Sequence, residues 1–600
     1  MIFEGLNPEQ RRAVEAVRGP VCILAGAGSG KTTTITRRIA NQVATEALAA
    51  SEILAVTFTD KAAGQLRSRL EALGAGRVAA RTFHSAALAQ LRYFAAEPPG
   101  RILASKALLL RQIGNGLPGA YRFRPAGDLA TEIEWAKNRR LAPRDYEGAL
   151  DGHAPPIPPD LMARVYREYE RRKEASGALD FEDLLERAVR LFDDDEQAAA
   201  TFRDRYRAFT VDEYQDVNLL QQSLLERWLG GRDELCVVGD DYQSIYGFTG
   251  ASPEHLLAVP RRYPRALVVR LEQNYRSTPQ VLELANRLVP RLGGAEKTLR
   301  PELADGPEPE LRGFADGGAE AAAVASRIAE LGLPLEQTAI LFRTNARSAD
   351  FEEALHAAGL PFQGASLLER EAARQLLRRL RGEPRQDARG LALEAGWVEA
   401  VQEGLGDREQ TRQADLMRLV RLAESFDGDA DEFRAWLDER YGKAAAGGVN
   451  LLTLHRAKGL EFEAVFVVRV TEGELPIRRG DVAEERRLLY VGLTRAKRLL
   501  SVTWAGKPSR FLGELGVAKR EEGRPPEELP PAFAALKAWR LERSKADDVP
   551  AYVVFHNSTL EEIAVRAPRT RDDLAAVPGV GPAKLARYGD ELLSVLSGVV

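Results

Sequence analysis

The sequence predicts an α/β protein: two doubly wound parallel-sheet domains, each interrupted by a helical insertion, followed by a small all-helical C-terminal module. Three observations predict it. Short apolar runs, such as "VCILA" at 21–25, "FTV" before Asp212 and "LCVVG" before Asp240, alternate with helix-compatible stretches. Each run ends in a glycine-rich or acidic turn, which is where parallel strands carry their ligand sites. Two long stretches, 92–189 (with the Pro-rich loop "GHAPPIPPD") and 371–446, read as helical throughout, and a polar linker, "AKREEGRPPEELPP", precedes a change of character at the C-terminus. The expected organisation is therefore 1–91 with 190–267 as the first domain and 268–370 with 447–516 as the second. Residues 92–189 and 371–446 are the insertions, 517–530 the linker and 531–600 the terminal module.

Composition bounds the rest. A chain of 600 residues exceeds a single core, given ~100–200 residues per packed unit. Hydrophobic residues at 44% and charged residues at 29% are the balance of a globular protein rather than a disordered one. No apolar run approaches the ~18 residues of a membrane span, and the start, "MIFEGLNPEQ", lacks the basic and apolar segments of a secretory signal. A cytoplasmic setting with no membrane partner is expected. Cys22 and Cys236 each lie in an apolar run, as core thiols do, and two cysteines build no cysteine-based zinc site. The net charge of −4 excludes a uniformly basic surface but not a basic groove.

The run at 21–25 leads into "AGAGSGKTT", that is Ala25, Gly26, Ala27, Gly28, Ser29, Gly30, Lys31, Thr32 and Thr33, and then into a helical stretch. Strand, glycine-rich turn and helix N-terminus make a phosphate cradle of backbone N–H groups. Lys31 reaches the outer phosphates and Thr32 ligates magnesium. Ala25 stands where the pattern has glycine, but Gly26, Gly28 and Gly30 keep the loop's freedom. In "FTVDEYQD" the acids Asp212 and Glu213 directly follow a strand-like run. Asp212 suits the metal and Glu213 the attacking water, so ATP and Mg2+ are the expected ligands.

The more specific signal lies in the order of further motifs. "LNPEQ", "TFTDKAAGQLRSRL", "RTFHS", "VDEYQD", "GDDYQSIYGFTGA", "LEQNYRSTPQVLELAN", "VNLLTLHRAKGLEFEAVFV" and "EERRLLYVGLTRAKRLL" follow one another over most of residues 1–515. This series closely resembles the UvrD/Rep/PcrA-type superfamily I DNA helicases. The resemblance implies two RecA-like domains with 1B-like and 2B-like insertions. It implies that Gln10 reads adenine, Tyr275 stacks on it and Glu461 binds the ribose. Arg276 and Arg495 would reach the γ-phosphate from the second domain, where a guanidinium stabilises charge only when the cleft is shut. Gln243 would sense the γ-phosphate, and Tyr246 and Phe248 would meet single-stranded bases, whose π-faces are independent of sequence. Phe58, Thr59, Thr82, His84 and His455 match further strand-contacting positions; taken singly, each is equally consistent with plain packing.

There are departures. The family usually has tryptophan and arginine where Phe248 and Thr249 stand, and often asparagine at Asp60. Its second insertion is usually much larger, which puts duplex handling in question here. The C-terminal segment resembles an HRDC domain, an accessory module of some DNA helicases. Its "VPGVGPAKLARYG" hairpin suits a phosphate contact through Gly579, Gly581 and Lys584, or else a helix-packing turn or a protein-docking module. Motor and HRDC together resemble an actinobacterial-type UvrD paralogue, without the four-cysteine segment that some relatives carry. The expected function is an ATP-dependent 3′–5′ helicase or translocase on single-stranded, tailed or junction DNA, with repair or replication proteins as partners. The alternatives are a translocase that strips proteins with little unwinding, and a DNA-binding scaffold whose ATPase gates a partner.

Overall fold

The computed structural model describes residues 2–598 except 120, 122–123, 365–366, 399–406, 442–446, 479, 518–530, 547–553, 556, 578–579 and 581. The first sheet is parallel throughout. Its strands are β1 (Val21–Ala25), β2 (Ile53–Thr57), β3 (Ala79–Thr82), β4 (Ala208–Val211), β5 (Leu235–Gly239) and β6 (Leu267–Leu271), in the spatial order β3-β2-β4-β5-β1-β6. Every residue of β1 is buried, because helices cover both faces of the sheet. Alternation along the strand feeds two cores. Cys22 and Leu24 join Phe83, Phe209 and Trp228 on one face, while Val21, Ile23 and Ala25 join Ile35 and Ile39 on the other. The order sets the ends of β1, β5 and β4 side by side, and with them the glycine loop, Asp240 and Asp212.

The second sheet is also parallel. It contains β7 (Glu310–Phe314), β8 (Thr338–Phe342), β9 (Phe362–Gln363), β10 (Val449–Thr453), β11 (Phe462–Val467) and β12 (Ala496–Ala505), in the order β7-β12-β11-β8-β10-β9.

Two expected boundaries move. β6 pairs residue by residue with β1, from Val21 with Leu267 to Ala25 with Leu271, so the first sheet runs past 267 and closes the far edge of β1. Helix Phe181–Asp194, assigned mostly to the first insertion, buries Leu184, Leu185, Ala188, Val189 and Phe192 against Phe83 and Trp228. It is part of the first domain's core. The insertion's own core gathers Leu129, Ile133, Trp135, Tyr146, Tyr166 and Tyr169. The second insertion has helices Glu371–Arg379, Pro384–Glu394, Asp407–Glu424 and Ala430–Tyr441 around Leu376, Leu419, Phe433 and Leu437.

Residues 517–600 form a separate compact unit. Its helices include Pro531–Ala546, Asn557–Arg566 and Pro582–Ser597, packed on Leu536, Phe555, Leu560, Ile563 and Leu592. Among the described residues, no helix is long and apolar enough to cross a membrane.

Candidate nucleotide and strand site

β1 ends at Ala25, and the chain turns through Gly26–Gly30 into helix Lys31–Ala44. Gly28 and Gly30 have φ of 65° and 79°, a left-handed region that a Cβ disfavours. The loop is also closely overlaid: a Cβ on Gly28 would come 2.6 Å from Asn274 Nδ2, and one on Gly30 2.6 Å from Gln10 Nε2. Gly30 is the helix N-cap without a side-chain cap, which leaves first-turn N–H groups, those flanked by Thr32 and Thr33, for an anion. Ser29 turns its hydroxyl onto the Gly26 carbonyl at 2.8 Å.

Gln10 is buried and donates from Nε2 to the Ser29 carbonyl at 3.0 Å, while a capping box with Asn7 orders helix Pro8–Glu15. Tyr275 lies over the same loop. Its N–H donates to the Gly28 carbonyl at 3.0 Å, its hydroxyl accepts from Asn7 Nδ2 at 2.9 Å, and the residue is 43% exposed. Asn274, which motif reading passed over, is what holds this arrangement. It is fully buried, donates to the Ala27 carbonyl at 2.7 Å, and accepts the N–H groups of Arg276 and Ser277, both at 2.8 Å.

Asp212 and Glu213 follow β4. Glu213 has φ of 51° and donates its N–H to Asp212 Oδ1 at 2.9 Å, while Lys31 Nζ stands 3.6 Å from its carboxylate. Burial and the neighbouring Glu213 push Asp212 up to about 7. Burial also opposes ionisation of Glu213, but Lys31 and Lys458 outweigh it and bring that group down to about 2. Adjacent carboxylates are thereby driven to opposite ends of the acid range. Gln215, quoted in the motif but given no part, bridges two strand ends: it donates to Glu213 Oε2 at 2.5 Å and accepts the Asp240 N–H at 2.9 Å.

The second domain closes over this face. Arg495, 1% exposed, donates to Gln243 Oε1 at 3.2 Å, to the Val491 carbonyl at 2.9 Å and to the Leu460 carbonyl at 3.2 Å. Burial, with Arg276 nearby, lowers its pKa to about 9. Gln243 in turn donates to Asp240 Oδ2 at 2.6 Å. Arg276 pairs with Glu461 at 2.7 Å, and Lys497 reaches the same carboxylate at 3.2 Å. Lys458, also unassigned from the sequence, donates to Asp216 Oδ2 at 2.5 Å and to the Gln243 carbonyl at 2.6 Å. The structure thus gathers Gln10, the loop from Ala25 to Thr33, Asp212, Glu213, Gln243, Tyr275, Arg276, Glu461 and Arg495 around one interdomain cleft.

The expected strand-contacting residues fall into two groups. Tyr246, Phe248 and His455 form one across the domains: the rings of Phe248 and His455 meet edge-on at 5.6 Å, and those of Tyr246 and Phe248 at 6.1 Å. Phe248 is 44% exposed on the turn Gly247–Thr249. Phe58, Thr59, Thr82 and His84 form the other, at the ends of β2 and β3. Phe58 packs edge-on against Phe83 at 6.1 Å and His84 against Phe181 at 5.5 Å. Thr59 and Thr82 cap the helices that follow, accepting from the Ala62 and Ser85 N–H groups, both at 3.1 Å. Asp60 is the first residue of helix Asp60–Ala72, where the helix dipole favours a carboxylate. Burial, with Lys106 nearby, lowers His84 to about 4; burial, with Arg343 and Lys458, lowers His455 to about 3.

In the C-terminal unit Lys584 places its ammonium 4.8 Å from the centre of the Phe555 ring, and burial lowers its pKa. Gly579 and Gly581 of the expected hairpin lie outside the described residues.

The family profile described as UvrD/REP helicase N-terminal domain matches residues 6–264, the UvrD-like helicase C-terminal domain matches 269–389 and 397–507, and the HRDC domain matches 531–596. The ATP-dependent DNA helicase UvrD2 of Mycobacterium tuberculosis is 40% identical over 100% of this chain and 99% of its own length. UvrD1 of the same organism is 33% identical over 86% of this chain and 85% of its own. DNA helicase II of Escherichia coli is 31% identical over 87% and 89%. The chain belongs to the UvrD family of ATP-dependent DNA helicases and carries a C-terminal HRDC domain.

Proposed function

We propose that this helicase moves 3′ to 5′ on single-stranded DNA and displaces the complementary strand, serving repair or replication from the cytoplasm. The observation that carries the reading is the segment 240–250. It places Gln243 against Arg495 in the nucleotide cleft and exposes Phe248 a few residues later.

On this reading the N–H groups of the glycine loop and Lys31 hold the ATP phosphates, Gln10 and Tyr275 hold the adenine, and Glu461 holds the ribose. Thr32 and Asp212 would hold Mg2+; a hydroxyl and a carboxylate are the hard oxygen donors that this ion takes, and its charge would offset that of the phosphate oxygens. Glu213, kept ionised by Lys31 and Lys458, orients the attacking water. Arg276 and Arg495 stabilise charge on the transferring phosphoryl group once the cleft is shut. Tyr246, Phe248 and His455 face the bases, with Phe58, Thr59, Thr82 and His84 farther along the strand path and Lys584 on the accessory domain.

Strand displacement on 3′-tailed, 5′-tailed and blunt duplexes tests this. Unwinding is expected only from the 3′ tail. A second reading follows from the small second insertion, whose helices, among the described residues, lie between 371 and 441. It is a translocase that clears bound proteins with little unwinding, and it would remove a protein block from a 3′-tailed strand while leaving the duplex paired.

A further inference from the structure

The turn that exposes Phe248 is gripped from both sides by residues that have no part in the site above. From the second domain, Glu484 accepts the Gly247 N–H at 3.0 Å. From the first insertion, Asn138 donates to the Thr249 carbonyl at 2.8 Å. The glycines match these grips. A Cβ on Gly247 would meet Glu484 Oε2 at 2.5 Å, and one on Gly250, whose φ is 89°, would come 3.1 Å from Asn138 Cβ and 3.3 Å from the Trp135 carbonyl.

The two grips differ in what stands behind them. Asn138 ends helix Ala126–Asn138, and that helix is locked into the insertion. Trp135 stacks on His153 at 3.9 Å, and Glu132 holds both His153 and the Tyr146 hydroxyl. This is a fixed wall. Glu484 instead opens helix Val482–Leu493, whose far end delivers Arg495: the Val491 carbonyl accepts from Arg495 Nε at 2.9 Å. One rigid helix, rising about 1.5 Å per residue, therefore carries the Gly247 contact at one end and Arg495 at the other.

The contact is directional. Glu484 is a half-buried carboxyl group near Asp481, Glu485 and Arg487; desolvation raises its pKa to about 7, and the Gly247 N–H that the aromatic turn offers it favours the charged form. The bond exists only while the second domain lies against the turn, and the Gly247 N–H loses this acceptor when the domains separate.

We propose that Glu484 is a positioning residue that transmits domain closure at Arg495 to the Phe248 turn, with Asn138 as the opposing wall. The proposal rests on the reading that Phe248 stacks on a base. Nucleotide would then change strand affinity, because the closed state alone holds the turn in its stacking position.

The test measures affinity of the full chain for a fluorescent oligothymidylate, with and without a non-hydrolysable ATP analogue. The wild-type ratio of the two affinities is expected at roughly 5- to 150-fold, the usual range for coupled sites. Glu484→Ala should bring it close to one. Glu484→Gln, which keeps the acceptor oxygen, should retain most of it. Gly247→Ala, whose methyl displaces the carboxylate, should reduce the ratio in the wild-type background and change little once Glu484→Ala is present, since contacting residues are non-additive. A wild-type ratio near one, a Glu484→Ala variant with the wild-type ratio, or simple addition of the two effects overturns the proposal. Phe248→Ala, measured with the ATP analogue bound, examines the underlying reading separately. Unchanged affinity there removes the stack itself, whereas weakened affinity together with an unaltered Glu484→Ala ratio removes only the role of Glu484.

Discussion

Arg495 of the second domain and Gln243 of the first meet across the cleft, guanidinium Nη2 to amide oxygen, at 3.2 Å. Lys458 reaches the Gln243 carbonyl from the same side at 2.6 Å. One residue of the first domain is thus held twice by the second, through its side chain and its backbone. Its side chain is also held within the first domain, donating to Asp240 Oδ2 at 2.6 Å.

Arg276→Ala and Arg495→Ala should each lower turnover far more than nucleotide affinity. A transition-state arginine contributes roughly 10³–10⁵ in rate, so losses of a few hundred-fold or more are expected in steady-state ATPase at saturating single strands. Arg495 is also a fully buried side chain, so its variant should be checked by thermal unfolding. Two well-folded variants with normal turnover would remove the cleft assignment.

Deleting 517–600 should leave strand-stimulated ATPase nearly intact. The deletion follows the boundary between the two compact units, and every residue assigned to the cleft lies before it. Duplex or junction binding is where the loss is expected. A folded truncation without ATPase would contradict an accessory role for HRDC.

His84 and His455 should contribute no titration to strand binding between pH 6 and 8. Their pKa values are lowered to about 4 and about 3, so each ring is neutral above roughly pH 5 and gains charge only on further acidification. The pH dependence of oligonucleotide affinity in His84→Phe and His455→Phe should therefore match wild type across this window. If either variant flattens that dependence, the ring is charged in the complex.

How much of this was legible in the sequence differs from element to element. The loop from Ala25 to Thr33 declared itself, because an apolar run, spaced glycines and Lys31 leave few other structures for the chain. Asp212 and Glu213 were legible for the same reason, as acids placed directly after a buried strand. β6 was not, since its pairing with β1 joins residues far apart in the chain and an apolar run does not name its neighbour. Helix Phe181–Asp194 has an apolar face that would suit either core; only packing against Phe83 and Trp228 decides it. Asn274, Gln215, Lys458 and Glu484 stood inside quoted motifs yet went unassigned. Their parts come from tertiary hydrogen bonds, and a single amide or charge has no spacing that announces its partner.

On the proposed function, the segment 240–250 joins nucleotide turnover to strand binding, with Gln243 and Phe248 doing different things. The most direct measurement is ATPase rate titrated with single-stranded DNA in wild type, Phe248→Ala and Gln243→Ala. Wild type should show saturable stimulation. Losing one stacked base, worth about 1–3 kcal/mol, should raise the half-saturating DNA concentration roughly 5- to 150-fold in Phe248→Ala while the plateau remains within reach. Gln243→Ala should lower the plateau and keep the half-saturation point. A wild-type rate indifferent to DNA, or a Phe248→Ala variant that saturates like wild type while Gln243→Ala loses strand affinity, would contradict the account.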